Sequence, residues 1–239
     1  MKLRLFSWLL GLLCLAVVAN AQNSCDAEIK LLLDPSDIQS VVKAFNAGPP
    51  AKGQVYLFDT ERRELFSRGV IVRARQEGEV SDLMVKVRIP ADESIPVSGL
   101  GAGYKCEVDR TGDSVVRSYS VKTKLTGVLP TSGNEVLKLL SPGQQRLLRE
   151  AHISPDWSRV EKVAGIQATA WKIRNEAGLS KLSLELWQWS SNRVLELSTK
   201  IPNDDPSVSI QLRKLVSDKG LTVDKTQTQK TRLAVESIE

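Results

Sequence analysis

Asp26-Ala27-Glu28-Ile29-Lys30-Leu31-Leu32 alternates ionisable and apolar side chains, and that alternation decides the fold class. Successive residues of an extended strand point to opposite sides, so residues two apart share a face. Asp26, Glu28 and Lys30 therefore stand together, with Ala27, Ile29 and Leu31 behind them. The same period of two recurs along the chain. It groups Arg73 with Arg75, Lys86 with Arg88, and Lys105 with Glu107 and Asp109. Later it groups Ser183 with Glu185, and Glu196 with Ser198 and Lys200, each set backed by aliphatic residues.

Between these strands the punctuation is clear. Asp34-Pro35 opens a helix to about Phe45, because proline suits a first helical turn. Strands are expected at 54–60, 70–75, 83–89 and 104–109, with a Pro/Gly-rich loop before the last. Residues from about Asp113 to Ala151 read as helical, with Ser141-Pro142 a second helix start. Strands resume near 158–163, 167–174, 182–189 and 194–200. Asp204-Asp205-Pro206 then opens a helix to about Lys219, and 222–239 is a polar tail with no assigned structure. No repeat of fixed period and no flexible linker is visible, so 22–239 is expected to form one domain.

Lys2 and Arg4 precede an apolar run from Leu5 to Val18, followed by Ala19-Asn20-Ala21. A positive start, a hydrophobic core and small residues at −3 and −1 predict a signal peptide cut after Ala21. The run is shorter than the roughly 20 residues of a spanning helix, so no membrane span is expected after its removal and the location is periplasmic or secreted. In an oxidising compartment Cys25 and Cys106 are expected to form a disulfide. Removing Lys2 and Arg4 takes the formal charge from +5 to +3, too mild to argue for nucleic acid, and no nucleic-acid partner is expected. The lone His152, read as part of a helix end, leaves little room for a Ser-His-Asp triad or a histidine-rich zinc site.

An antiparallel sheet ordinarily has one wet face, which would make the charged positions a solvated surface. Against this, nearly every position on the shared face is fully charged, and the signs are segregated. Arg73/Arg75 and Lys86/Arg88 are purely basic strands. If the face turns inward, the fold is α+β, an antiparallel closed β-barrel of about eight strands with flanking helices. Such a barrel has room inside for one small ligand. Buried charges must be paired or bind something: carboxylates suit a hard divalent cation, arginines and lysines a compact polyanion.

Asp26-x-Glu28-x-Lys30 resembles the E-x-E-x-K signature of the CYTH, or triphosphate tunnel metalloenzyme, superfamily. The similarity continues through Tyr56-x-Phe58-Asp59-Thr60, Gly69-x-x-x-Arg73-x-Arg75, Lys86-x-Arg88, Glu107-x-Asp109, Glu185 and Glu196-x-Ser198-x-Lys200. The resemblance implies a β tunnel that grips a triphosphate with basic residues and positions Mg²⁺ or Mn²⁺ with acidic ones. It implies Glu28 and Lys30 in catalysis, and Asp26, Glu28, Glu107, Asp109, Glu185 and Glu196 around the metal. Lys30, Arg73, Arg75, Lys86, Arg88, Lys105 and Lys200 become the substrate grips, with Lys172 and Arg174 as outlying candidates. The sequence departs from the pattern where Asp26 stands for Glu and Ser198 for an acid. By parity both cysteines fall on the outward side of their strands.

Three functions stay open from the residues: hydrolysis of a small triphosphate-type anion, non-catalytic binding of a polyanion in the same tunnel, and a structural role with charges facing water. Export disfavours cyclase and RNA-processing roles, whose substrates are scarce outside the cytoplasm.

Overall fold

The structure, a computed structural model, describes residues 25–98 and 100–237. The leader read over residues 1–21 lies outside the described residues. Nine strands close into a barrel: β1 (Asp26–Leu33), β2 (Ala51–Thr60), β3 (Val70–Glu77), β4 (Val80–Pro90), β5 (Tyr104–Thr111), β6 (Ser114–Leu125), β7 (Val160–Lys172), β8 (Ser183–Trp189) and β9 (Asn192–Ile201). Around the wall they run β1-β5-β6-β4-β3-β2-β7-β8-β9, and β9 returns to β1. β1 pairs with β5 in parallel; the other neighbouring pairs are antiparallel. The α+β barrel is therefore as expected, with nine strands in place of about eight and one parallel seam.

The outer wall is apolar and is covered by helices. α1 (Ile38–Ala44) and α5 (Ser207–Asp218) pack Val41, Val208, Leu212 and Leu215 against Ile29, Leu31 and Leu184. α2 (Glu64–Ser67) sits between β2 and β3, where Asp59 accepts from the backbone N–H groups of Thr60, Leu65 and Phe66. α3 (Gly133–Leu139) and α4 (Pro142–Glu150) bring Val136, Leu147 and Leu148 onto Leu83, Val85 and Val121. Ser141 and Gln144 form a capping box at the start of α4, as Ser141-Pro142 promised. His152 lies just past that helix, exposed and in the left-handed region at φ 55°.

The helical reading of 113–151 is corrected over Ser114–Leu125, which is β6. Its outward side, Tyr119 and Val121, is core, while Ser118 and Ser120 face inward opposite Arg88 and Lys86. Short hydroxyl side chains leave those long basic ones room, and so the strand lacks the run of charge that marks its neighbours. The two strands read between 158 and 174 are one, β7.

The interior has two halves. Charged residues fill one; in the other Val55, Leu57, Ile71, Met84, Trp187 and Trp189 form an apolar cluster with Ala234 and Val235. These last two belong to α6 (Lys230–Glu236), so the polar tail is structured and closes the far end of the barrel. Gln227 ties it there, receiving the Leu32 N–H and donating to the Leu32 carbonyl. Gly112 makes this possible, because a Cβ there would lie 2.8 Å from Cβ of Gln227.

Cys25 and Cys106 form a disulfide across the β1–β5 seam, with Cα atoms 4.8 Å apart. Both pack into the outer apolar clusters and not into the lumen. Among the described residues no helix is long and apolar enough to cross a membrane.

A candidate anion and metal tunnel

Strand parity delivers the charged side chains to one cavity of about 320 Å³. Nine basic side chains and four acidic ones line it, and Asp109, fully buried, lies beneath them. An apolar wall behind each strand forces this arrangement: Ile29 and Val108 can reach the outer core only if Glu28, Lys30, Glu107 and Asp109 point inward.

Three of the four carboxylates on the β1–β5 seam gather together, the fourth being Asp26 opposite Glu107. Glu28, Glu107 and Asp109 offer oxygens that all lie within 4.8 Å of one another. Lys30 contacts Glu28 at 2.8 Å and Asp109 at 2.7 Å. Lys86 lies 3.3 Å from both Glu107 and Asp109, and Lys200 lies 2.5 Å from Glu107 and 3.5 Å from Glu28. Burial alone would raise these acids. The lysines outweigh it, holding Glu28 at about 2 and Asp109 well below the usual carboxylate range. Burial likewise favours a neutral Lys30, but Asp109 and Glu28 raise its pKa.

On β8 and β9, Glu185 and Glu196 stand directly opposite each other. Lys230 at the start of α6 donates to both, reaching Glu196 at 2.6 Å. Its ammonium lies 5.0 Å from the centroid of the Trp187 ring. Burial would raise Glu185, but Lys230 and Arg75 hold it at about 2. Arg75 is 3.5 Å from Glu185.

Arg73 and Arg88 are less fully paired, although Arg88 Nε lies 3.9 Å from Asp109. Arg73 Nε, Arg88 Nε and Arg88 Nη1 are buried without a hydrogen-bond partner among the described residues. Burial lowers both guanidinium pKa values, and Arg75 adds to the effect on Arg73. A guanidinium still keeps its proton, so these donors stay charged at the cavity wall with no hydrogen bond made.

Most of the expected site residues therefore converge. Glu28, Lys30, Arg73, Arg75, Lys86, Arg88, Lys105, Glu107, Glu185, Glu196 and Lys200 line the cavity. Asp26 is exposed at the outer end of β1 and stands outside the carboxylate trio; Lys172 and Arg174 are exposed and do not line the cavity. Ser198 pairs with Ser183 at 3.0 Å. Among the lining residues that escaped the sequence reading are Lys122 and Ser120 on β6, and Lys230 on α6. Alternation of Ser118, Ser120 and Lys122 was a usable signal for the first two; nothing local marks Lys230.

The spread of the carboxylate trio suits one hard divalent cation held through oxygen. The chemistry of the donor set fits, provided that the lysine tips turn toward an incoming anion.

The same fold occurs in solved structures. HpAC1 from Hippeastrum, named as an adenylyl cyclase and described as having a dominant triphosphatase activity, aligns with a TM-score of 0.62 at 19% identity. That alignment covers 88% of this chain and 94% of HpAC1. A Bacillus halodurans protein named as an adenylate cyclase aligns with a TM-score of 0.58 at 13% identity, over 87% of this chain and 97% of its own. No protein-family model and no curated protein matches the chain.

Proposed function

We propose that this chain, which has the CYTH tunnel fold of adenylate cyclase and triphosphatase proteins, hydrolyses a small triphosphate-type anion with the help of Mg²⁺ or Mn²⁺. One observation carries the reading: buried arginine donors without a hydrogen-bond partner among the described residues line a cavity that also holds a carboxylate trio. Leaving a buried charged donor unsatisfied costs stability, and a bound phosphate chain would relieve that cost with charge-assisted hydrogen bonds.

In this reading Arg73, Arg75, Arg88, Lys30, Lys86 and Lys200 grip the anion, and Lys105 and Lys122 draw it in at the exposed rim. Glu28, Glu107 and Asp109 would hold the metal, which supplies charge neutralisation and an activated water. Glu28 and Lys30 would act on the reacting phosphate, one orienting water and the other balancing charge. We place the activity outside the cytoplasm, where the Cys25–Cys106 bridge would persist.

Purified protein incubated with tripolyphosphate and Mg²⁺ or Mn²⁺ should release phosphate. No release with either ion would overturn the reading.

A second reading is a binding module without turnover. It draws on the carboxylate trio, already neutralised by Lys30, Lys86 and Lys200. Calorimetry beside the phosphate assay separates the two, since heat of binding without phosphate release selects the module.

A further inference from the structure

We infer that Lys230 is a tethered cation, seated between Glu185 and Glu196 where a divalent ion would otherwise bind. This rests on the proposed reading of the same tunnel and concerns how many metal ions it takes. Two carboxylates directly opposite on neighbouring strands repel each other. Inside a barrel that repulsion is relieved by a shared proton or by a cation, free or covalently supplied. Here the chain supplies it, because the Lys230 ammonium donates to both acids, with Arg75 3.5 Å from Glu185 as a second cation on that acid alone.

The ammonium is delivered by an element independent of the wall. α6 is anchored by Ala234 and Val235 among Trp187 and Trp189, and by the hydrogen bonds of Gln227 to both backbone groups of Leu32. A further backbone bond joins the Asp224 N–H to the Leu32 carbonyl at 2.9 Å. An ion reaching Glu185 and Glu196 would have to displace Lys230 and leave a buried ammonium unpaired, an arrangement strongly disfavoured. The Glu28–Glu107–Asp109 trio is left as the ion site, because in the proposed reading its lysines, Lys30, Lys86 and Lys200, turn to the bound anion, whereas α6 fixes Lys230 between its two acids. The deep end of a bound anion meets an ammonium in place of a second metal.

Mn²⁺ binding to the full chain, counted by calorimetry and by the loss of the free-ion electron paramagnetic resonance signal, tests this. K230A and K230Q should each bind one more Mn²⁺ than the wild type, and adding E196Q to either should remove the extra ion. In the wild-type background E196Q alone should leave the Mn²⁺ count unchanged. Equal counts in wild type and a folded Lys230 variant would overturn the inference. So would loss of an ion in E196Q, a measurement that needs no Lys230 variant to fold. Failure of the proposed hydrolysis is read separately, as absence of phosphate release by the wild type, and leaves the difference in ion count intact.

Discussion

Glu28 and Asp109 face each other across the parallel β1–β5 seam, and Lys30 bridges them at 2.8 and 2.7 Å. Asp109 is fully buried and also anchors Lys86. D109N should therefore destabilise the ligand-free chain by about 3–5 kcal/mol, the usual cost of stranding buried charge. Urea denaturation measures it; a loss under about 1 kcal/mol would mean that water already screens the cluster.

Arg73 should behave in the opposite way. Its Nε has no hydrogen-bond partner among the described residues, so R73M removes a buried charge that Asp82, Glu185 and Glu28 compensate only in part and should raise ligand-free stability by about 1 kcal/mol. Affinity for tripolyphosphate should fall about tenfold to a hundredfold. Melting curves without ligand and titration calorimetry with it check the two halves independently.

Acid should unfold the protein through its depressed carboxylates. Glu28 and Glu185 titrate at about 2 in the folded chain against an ordinary 4.5. Between those values the unfolded chain binds protons that the folded one refuses, so stability is fully present above about pH 4.5 and is lost as pH falls toward 2. Melting temperatures from pH 6 to pH 2 should decline steeply over that window, and less steeply in E185Q.

E28Q keeps the shape of the side chain and deletes a charge that the proposed metal needs. Phosphate release should fall by at least about a hundredfold, the scale of losing one electrostatic contact to a transition state. Tripolyphosphate affinity should stay within a few-fold. Parallel loss of binding would assign Glu28 to holding the anion.

The disulfide closes a stretch of 81 residues. Reduction, or C25S with C106S, should cost about 2–5 kcal/mol, read as a lower urea midpoint with dithiothreitol present.

Much of this site was legible because the period of two is enforced physically. Where Ile29, Val72 or Val87 must reach the outer core, the neighbouring Glu28, Arg73 and Lys86 are forced inward. Legibility failed where local signals vanish. β6 faces the lumen with Ser118 and Ser120, which carry no charge to reveal it, because their job is to make room for Arg88 and Lys86. Lys230 meets Glu196 and Glu185 from 34 and 45 residues away, on a seven-residue helix that packing, and not its own propensity, holds in place. Asp26 had the right parity, but the strand begins there and leaves it at the rim.

β1 has no partner nearby in sequence: it is seated between β5 and β9, near the middle and the end of the chain. Contacts of such long separation form late. With β1 undocked, the locally paired β3–β4 hairpin would present Arg73, Arg75, Lys86 and Arg88 without Glu28 or Lys30 opposite them. A chain whose β1 has yet to dock would be an open, mainly basic trough, with Asp82 opposite Arg75 as its acid, and a polyanion present then would have a grip on it before the last strand shuts the wall.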